Sequence, residues 1–300
     1  MSVFNLRSNS DVLPIAAFWV LGLVWGANFI YMKMAVAHIT PLQTVFIRVL
    51  CGLLPVALYA WWRGDLKQQH IKYAPHFLVM ALLATVVYYY GFASATQFLP
   101  SAIAGAASAA IPLFSFVFAI VFLPEERFSL IRLTGLLSGC CGVIFIANPF
   151  ADVVTLQNNM QGISYILVGA LCVGSSFVYA RKYLTPLNIP ASALTTYQLG
   201  FSALFLLLIT DFDGIEQLQD ETHTLLGTIV GLGVLGTGFA YLLYYYLVNK
   251  LGAVKAASST YVPPVVALLI GAVIVGESIL PTDYLGALAI LIGVYCLSKK

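Results

Sequence analysis

Ser108-Ala109-Ala110-Ile111-Pro112-Leu113-Phe114 and Ser259-Thr260-Tyr261-Val262-Pro263-Pro264-Val265 are one stretch written twice. A shift of 151 positions lays Ser108 on Ser259 and Pro112 on Pro263. It also carries Glu126, at the end of the apolar run that follows, onto Glu277, with Gly135 onto Gly286 and Gly142 onto Gly293. Upstream, Gly26-Ala27-Asn28-Phe29-Ile30-Tyr31-Met32-Lys33 lies over Gly174-Ser175-Ser176-Phe177-Val178-Tyr179-Ala180-Arg181 with a shift of 148, the difference falling in loops. The chain is an internal duplication along nearly its whole length.

Composition says what kind of chain has been duplicated. Hydrophobic residues make up 61% of the 300, aromatic residues 13% and charged residues only 9%, whereas a soluble domain carries about 25% charge. The chain is read as an integral membrane protein. Its net charge of +2 is spread through short polar segments rather than gathered into a patch, so no nucleic-acid partner is expected. The cysteines, Cys51, Cys140, Cys141, Cys172 and Cys296, fall within apolar runs and lack metal-ligand or disulfide spacing. They are read as packing residues, and no metal or cofactor is expected.

Runs of about 20 apolar residues, enough to cross about 30 Å of hydrocarbon, recur at 13–35, 42–62, 75–97, 101–123, 129–148, 161–183, 190–210, 225–249, 254–276 and 281–298. The expected fold is an all-α integral membrane protein of ten transmembrane helices, five in a first repeat (13–148) and five in a second (161–298). Ala35-Val36-Ala37 looks like a signal-peptide cleavage site, but the apolar run before it is about twice an ordinary h-region and only Arg7 precedes it, so span 1 is read as retained.

Short loops rich in Lys and Arg stay in the cytoplasm. Placing the N-terminus inside puts twelve of the fourteen basic residues on that side and leaves Asp152 and the acidic run Asp211, Asp213, Glu216, Asp220 and Glu221 outside. Both termini are expected to be cytoplasmic. Because five is odd, the two repeats enter the membrane from opposite sides and are related by a pseudo-twofold axis in its plane, the inverted-repeat plan of secondary transporters. Two halves facing opposite ways can trade conformations and expose one central cavity to each side in turn. A membrane enzyme has no need of that symmetry.

Pro112 and the pair Pro263-Pro264 fall near the middles of spans 4 and 9, where each removes a backbone donor and frees a carbonyl one turn earlier. Two readings stand: paired bends around a central site, or ordinary kinks used for packing. With Glu126 and Glu277 at the rims, these prolines are the gating candidates. Polar residues at mid-depth are few. Asn28, Tyr90 and Ser108 in the first repeat, with Ser176, Tyr179, Tyr241, Ser259 and Tyr261 in the second, are the substrate-binding candidates. Their hydroxyls and amides can orient a small polar molecule while rings supply apolar contact. The alternatives are hydrogen bonds that glue helices together and an aromatic belt at headgroup level.

Lys33 and Arg48 escape the cytoplasmic rule, and both lie toward the external ends of their spans. Each either snorkels to the outer headgroups or reaches the cavity and favours a carboxylate or phosphate. No Asp or Glu falls in the middle of any span, which favours facilitated diffusion or exchange over a buried-acid proton relay. Gly22-xxx-Gly26, Gly135-xxx-Gly139 and Gly227-xxx-Gly231 suit close helix approach. Packing within a monomer is the expected use, with a dimer face as the alternative.

These residues resemble a family. Trp25-Gly26-Ala27-Asn28-Phe29, Pro41 followed by Arg48, Leu123-Pro124-Glu125-Glu126-Arg127 after the Ile-Pro stretch, and the echo Val262-Pro263 to Gly276-Glu277 are similar to the EamA domain of the drug/metabolite transporter superfamily, present here twice. The resemblance covers roughly residues 13–298. It implies ten helices in inverted repeats, a central cavity lined mainly by spans 1, 3, 4, 6, 8 and 9, and export of amino acids or other small metabolites across a bacterial inner membrane. Pro124-Glu125-Glu126 departs from the Gly-Glu or single Glu more usual there.

Within the same superfamily, the competing reading is an exchanger of phosphorylated solutes, nucleotide-sugars or cofactors, which needs Lys33, Arg48 or Lys255 in the cavity. A small multidrug-cation pump is disfavoured because Asn28 stands in the first helix where such a pump needs a buried Glu. A polytopic membrane enzyme is the remote alternative. His38, His70, His76 and His223 are scattered without His-Glu-x-x-His spacing, and there is no Gly-x-Ser-x-Gly turn. The expected partners are a small-molecule substrate and the lipid bilayer.

Overall fold

The computed structural model describes residues 12–99, 101–125, 129–147 and 156–270, together with the short pieces 285–286, 288–289, 292–293 and 295–296. Glu126 and Glu277 lie outside the described residues. Every regular element among the described residues is helical. That follows from the solvent, since a segment apolar on all sides in lipid must satisfy its backbone polar groups internally. Helix α1 is Val12–Ala35, α2 Pro41–Trp62 and α3 Gln68–Phe98. Helices α4 (Ser101–Ala107), α5 (Ala110–Phe122) and α6 (Leu130–Ala147) complete the first repeat. The second contains α7 (Leu156–Tyr179), α8 (Ala191–Ile209), α9 (Thr222–Leu251), α10 (Ala253–Ala257) and α11 (Val262–Ile270). Six helical segments are long and apolar enough to cross a membrane, and shorter apolar helices accompany them. Their outward faces carry Leu54, Leu58, Val121, Leu204, Leu208 and similar side chains, which suits lipid rather than water. The chain is a multi-pass membrane protein.

The duplicated proline stretch builds the same device in both halves. Where span 4 is expected, α4 stops at Ala107, Ser108 and Ala109 form a turn, and α5 resumes at Ala110. The Ser108 carbonyl lies four residues before Pro112, which has no N–H to offer it. It accepts instead from the Ile111 N–H at 3.0 Å, a tighter turn. In the second copy Ser258–Tyr261 is a 3₁₀ turn between α10 and α11, four residues or so before Pro263. The prolines thus stand just inside new helices, and the break sits one turn upstream of each.

A second shared device is a widened helical turn. Helix α3 is π-helical over Ala81–Val86 and α9 over Gly227–Phe239, and the 151-residue shift lays residues 81–86 on 232–237, inside the second segment. Each supplies a carbonyl to a tyrosine of the other: the Tyr241 hydroxyl donates to Ala84 O, and the Tyr89 hydroxyl to Gly236 O at 3.4 Å. The repeats are therefore cross-linked through α3 and α9.

Small residues bring the helices together. A Cβ on Gly22 would fall 2.5 Å from Val262 Cβ, and one on Gly26 at 2.5 Å from Val266 Cβ, so α1 lies directly on α11. Gly227 and Gly231 sit against the Tyr31 ring and Gly139 against that of Tyr261. These faces are occupied by packing inside the chain.

Candidate functional site

Helix α2 decides the centre of the molecule. Its N-terminus is held by a capping box, the Thr40 side chain accepting from Gln43 N while the Gln43 side chain accepts from Thr40 N. Gln43 Nε2 also donates to Asp211 O and Asp213 O, both at 2.9 Å, which ties α2 to the segment after α8. Along the helix Thr44, Val45, Arg48, Val49 and Gly52 are buried, one face at spacings of four and one. Gly52 faces Gly233 O and Gly238 N at 2.8 Å from where its Cβ would stand, so α2 lies against the π-helical part of α9. Arg48, one turn earlier on that face, is driven inward.

Arg48 is 1% exposed. Its Nε donates to Thr237 Oγ1 at 3.1 Å, one terminal nitrogen to Gly236 O at 3.4 Å, and the other reaches Met32 Sδ at 3.5 Å. The guanidinium carbon stands 3.5 Å from the centroid of the Tyr89 ring, a cation–π contact worth about 2 kcal/mol or more when desolvated. Assigned from its hydrogen-bond network, the Asn28 amide turns its oxygen to Arg48 at 3.2 Å and its nitrogen to Val24 O at 3.2 Å. None of these partners is a carboxylate. Arg48 reaches the interior rather than the outer headgroups.

Around Arg48 is a narrow chamber of ≈ 10 Å³, lined by Trp25, Asn28, Phe29 and Met32 of α1, Tyr88, Tyr89 and Phe92 of α3, Ser108 and Ile111 at the α4–α5 break, and Thr260 and Pro263 at the α10–α11 break. That is room for about one water, so a solute enters only if the walls part. Both proline devices and both repeats therefore meet at one point.

Of the residues singled out from sequence, Asn28, Ser108, Arg48 and Pro263 line this chamber. Tyr90 does not; its ring lies edge-on to Tyr165 at 6.2 Å, and its neighbours Tyr88 and Tyr89 face inward instead. Tyr241 is fully buried behind the wall, 6.2 Å from the Tyr89 ring. Ser259 donates to Ala256 O, Tyr261 to Leu136 O at 3.3 Å, and Ser176 to Val173 O while pairing with the Tyr244 hydroxyl at 3.0 Å. The Tyr261 bond and the Ser176–Tyr244 pair hold helices together, while the Ser259 and Ser176 bonds to carbonyls three residues back stay within their own helical turns. Pro112 is buried beside the lining residue Ile111. Lys33 is exposed and donates to Thr96 O at 2.6 Å and Leu99 O at 3.4 Å, at the C-terminal end of α3, where a cation offsets the helix dipole. The lining is drawn mostly from the first repeat. Among the described residues spans 6 and 8 contribute nothing to it and span 2 supplies Arg48, in contrast to the expectation from the resemblance.

Sequence reasoning passed over Trp25, Met32, Phe92 and Thr260, and of the cluster Tyr88-Tyr89-Tyr90 it singled out Tyr90 rather than the two that line the chamber. The signal for the first two was present, because 25, 28, 29 and 32 follow the i, i+3, i+4, i+7 spacing of one helical face once Asn28 is chosen.

Two crevices lie elsewhere among the helices, the first sharing Asn28 with the chamber. One, of ≈ 550 Å³, runs between α1 and α9 and is lined by Asn28, Ala27, Tyr31, Met34, His223 and Gly227 among others. The second, of ≈ 220 Å³, is lined by Leu83, Phe118, Phe122, Ser175, Val178, Tyr179, Lys182 and Tyr183. Under the 148-residue shift Ala27, Tyr31 and Met34 fall on Ser175, Tyr179 and Lys182. Equivalent positions of the two repeats thus line one crevice each. Tyr179 is placed there, with its hydroxyl 2.7 Å from His76 Nδ1.

Comparison with known proteins bears on the family and the fold. The model of the EamA-like transporter family matches residues 13–148 and again 160–299. The chain is 24% identical over 277 residues to the uncharacterized transporter YoaV of Bacillus subtilis, covering 91% of this chain and 92% of that one. It is 26% identical over 289 residues to the uncharacterized inner membrane transporter YedA of Escherichia coli K12, with 94% and 89% covered. A solved crystal structure superposes with a TM-score of 0.70 at 18% identity over 96% of both chains, a likeness of fold.

Proposed function

The chain belongs to the EamA-like transporter family, and from that premise we propose that it is a secondary transporter exporting amino acids or related small metabolites across a bacterial inner membrane. It works by alternating access around the chamber at Arg48. Ten crossings, five in residues 13–148 and five in 161–298, with both termini cytoplasmic, complete the reading. The observation that carries it is the pair of crevices. If each repeat crosses five times, α1 and α7 run in opposite directions, which would set the openings bordered by the repeat-equivalent residues Tyr31 and Tyr179 toward opposite faces. Larger on one side than the other, ≈ 550 against ≈ 220 Å³, the crevices support a molecule caught in one of two related arrangements.

The α4–α5 and α10–α11 breaks supply the hinges, because their irregular backbone lies against the chamber rather than against lipid. Pro112 and Pro263 are the gating residues of this reading, together with Glu126 and Glu277 at the rims. No carboxylate is among the chamber-lining residues, which supports facilitated diffusion or exchange without a proton relay in the chamber.

The test is counterflow of labelled amino acids in proteoliposomes with and without a pH gradient. Exchange that runs equally well without the gradient supports the reading; exchange that demands it overturns the uncoupled mechanism. Arg48 in the chamber favours one second reading, exchange of phosphorylated solutes, nucleotide-sugars or cofactors. Competition by phosphate esters but not by amino acids selects it.

A further inference from the structure

We propose that the chamber is a monocarboxylate site, with the anionic head held by Arg48 and Trp25 and an apolar body lying among Phe29, Tyr88, Tyr89 and Phe92; the inference rests on reading this chamber as the transport site. Three observations converge on it.

The first is charge. The guanidinium is 1% exposed and its partners are a hydroxyl, a carbonyl, an amide oxygen, a thioether and a ring. These dipoles lower the cost of burying the cation but leave its full charge uncompensated. An anion in the chamber compensates it directly.

The second is the balance of donors and acceptors. Trp25 is 3% exposed, and its indole N–H has no hydrogen-bond partner. The Arg48 terminal nitrogen nearest Met32 has only the thioether, at 3.5 Å, and thioether sulfur is a weak acceptor. Two buried donors on residues that line one cavity thus lack a strong acceptor, which is costly unless something else supplies one. A carboxylate presents about four lone-pair sites and satisfies both. Ser108 and Thr260 have already given their protons to Gly105 O and Ala257 O, so they add no competing donor and leave lone pairs for a group elsewhere on the solute.

The third is the count of charges. Among the described residues Arg48 is the one ionised side chain lining the chamber, and Lys33 is engaged at the end of α3. One positive charge balances one negative charge. A phosphate monoester, at about −1.5 to −2 near neutral pH, would remain partly uncompensated in a lining that is otherwise neutral. This selects a carboxylate over the phosphorylated solutes. Asn28 borders both the chamber and the ≈ 550 Å³ crevice, so it marks the path by which the head reaches Arg48.

The experiment measures thermal unfolding and Kd of the full chain purified in detergent. The probes are acetate, phenylalanine and 3-phenylpropanoate, with 3-phenylpropan-1-ol and phenyl phosphate as the neutral and dianionic counterparts. A saturable rise in Tm with at least one carboxylate and none with the alcohol is expected, and Arg48→Gln abolishes it. Trp25→Phe deletes an N–H that bonds nothing in the protein. It should still fold and should bind the same carboxylate about 10- to 100-fold more weakly, the loss expected for one hydrogen bond to a charged group. If Arg48→Gln fails to fold, Trp25→Phe carries the test. No response to any of the three carboxylates, equal binding of alcohol and acid, tighter binding of phenyl phosphate, or wild-type affinity in Trp25→Phe overturns the proposal. Counterflow of the bound carboxylate that survives Arg48→Gln overturns the site and leaves the transporter reading standing. Binding without counterflow in the wild type does the reverse.

Discussion

Gly26→Ala adds a single methyl at the point where α1 meets α11, and the structure sets its cost. The new Cβ would stand 2.5 Å from Val266 Cβ, 2.7 Å from Val266 Cγ1 and 3.1 Å from Pro263 Cα. Carbon atoms prefer separations of about 3.5–4.0 Å, so the shortfall is about 1 Å. A rotamer change moves only Val266 Cγ1 and leaves the clashes with its β-carbon and with the Pro263 backbone. The helices must part, and the expected destabilisation is about 1–3 kcal/mol, or roughly a 5- to 150-fold shift in the unfolding equilibrium. Gly200→Ala is the internal control. Nothing lies within 4 Å of its Cβ position, so the helix preference of alanine is free to appear, a gain of at most about 1 kcal/mol. The assay is unfolding in mixed micelles titrated with a denaturing detergent, followed by circular dichroism. The pair Gly26→Ala with Val266→Gly should recover part of the loss. Gly26→Ala with Val266→Ala should not, since alanine keeps the offending β-carbon. A Gly26→Ala protein as stable as Gly200→Ala, or rescue by Val266→Ala, would refute the packing argument. Because Pro263 also lines the chamber, parting these helices should loosen its closure as well.

Three further outcomes are expected. Tyr89→Leu should lower counterflow more than Tyr90→Leu, because the Tyr89 ring lines the chamber under Arg48 while Tyr90 packs edge-on against Tyr165; equal effects would remove Tyr89 from the site. Pro112→Ala restores a backbone N–H within reach of the Ser108 carbonyl, so α4 and α5 should join. Transport should fall several-fold while thermal stability holds or rises, and unchanged transport would show that the break is not a hinge. Lys33→Met should cost about 0.3–1 kcal/mol of stability, through loss of its bonds to Thr96 O and Leu99 O, with counterflow retained; loss of counterflow at normal stability would place the charge on the solute's path.

Reading the chain alone went far in this protein because the membrane simplifies the problem. Apolar runs of crossing length mark the helices, and the repeated Ser-to-Pro stretch marks where two of them break. The breaks at Ser108–Ala109 and Ser258–Tyr261 follow from a missing N–H four residues downstream, a local effect that needs no knowledge of neighbours. Likewise the pairing of Ala27, Tyr31 and Met34 with Ser175, Tyr179 and Lys182 is written in the duplication, though their use as crevice walls is not.

Rotation about each helix axis is what the chain withheld. In water an apolar stripe tells which face is buried, but helices that are apolar all round carry no such phase. Three consecutive tyrosines, Tyr88-Tyr89-Tyr90, sit at one depth, and only the packing of α3 turns the first two toward the chamber and the third toward Tyr165. Arg48 was equally suited to headgroups or interior until Gly52 allowed α2 to lie on α9 and brought Thr237 and Gly236 to its guanidinium. Sequence by itself determined the duplication, the membrane class and the order of the polar groups along each span, since these depend on order along the chain and on solvent. The tertiary structure alone decided which of those groups share a cavity, because that depends on close approach between helices distant in sequence, where the presence or absence of one Cβ sets the contact.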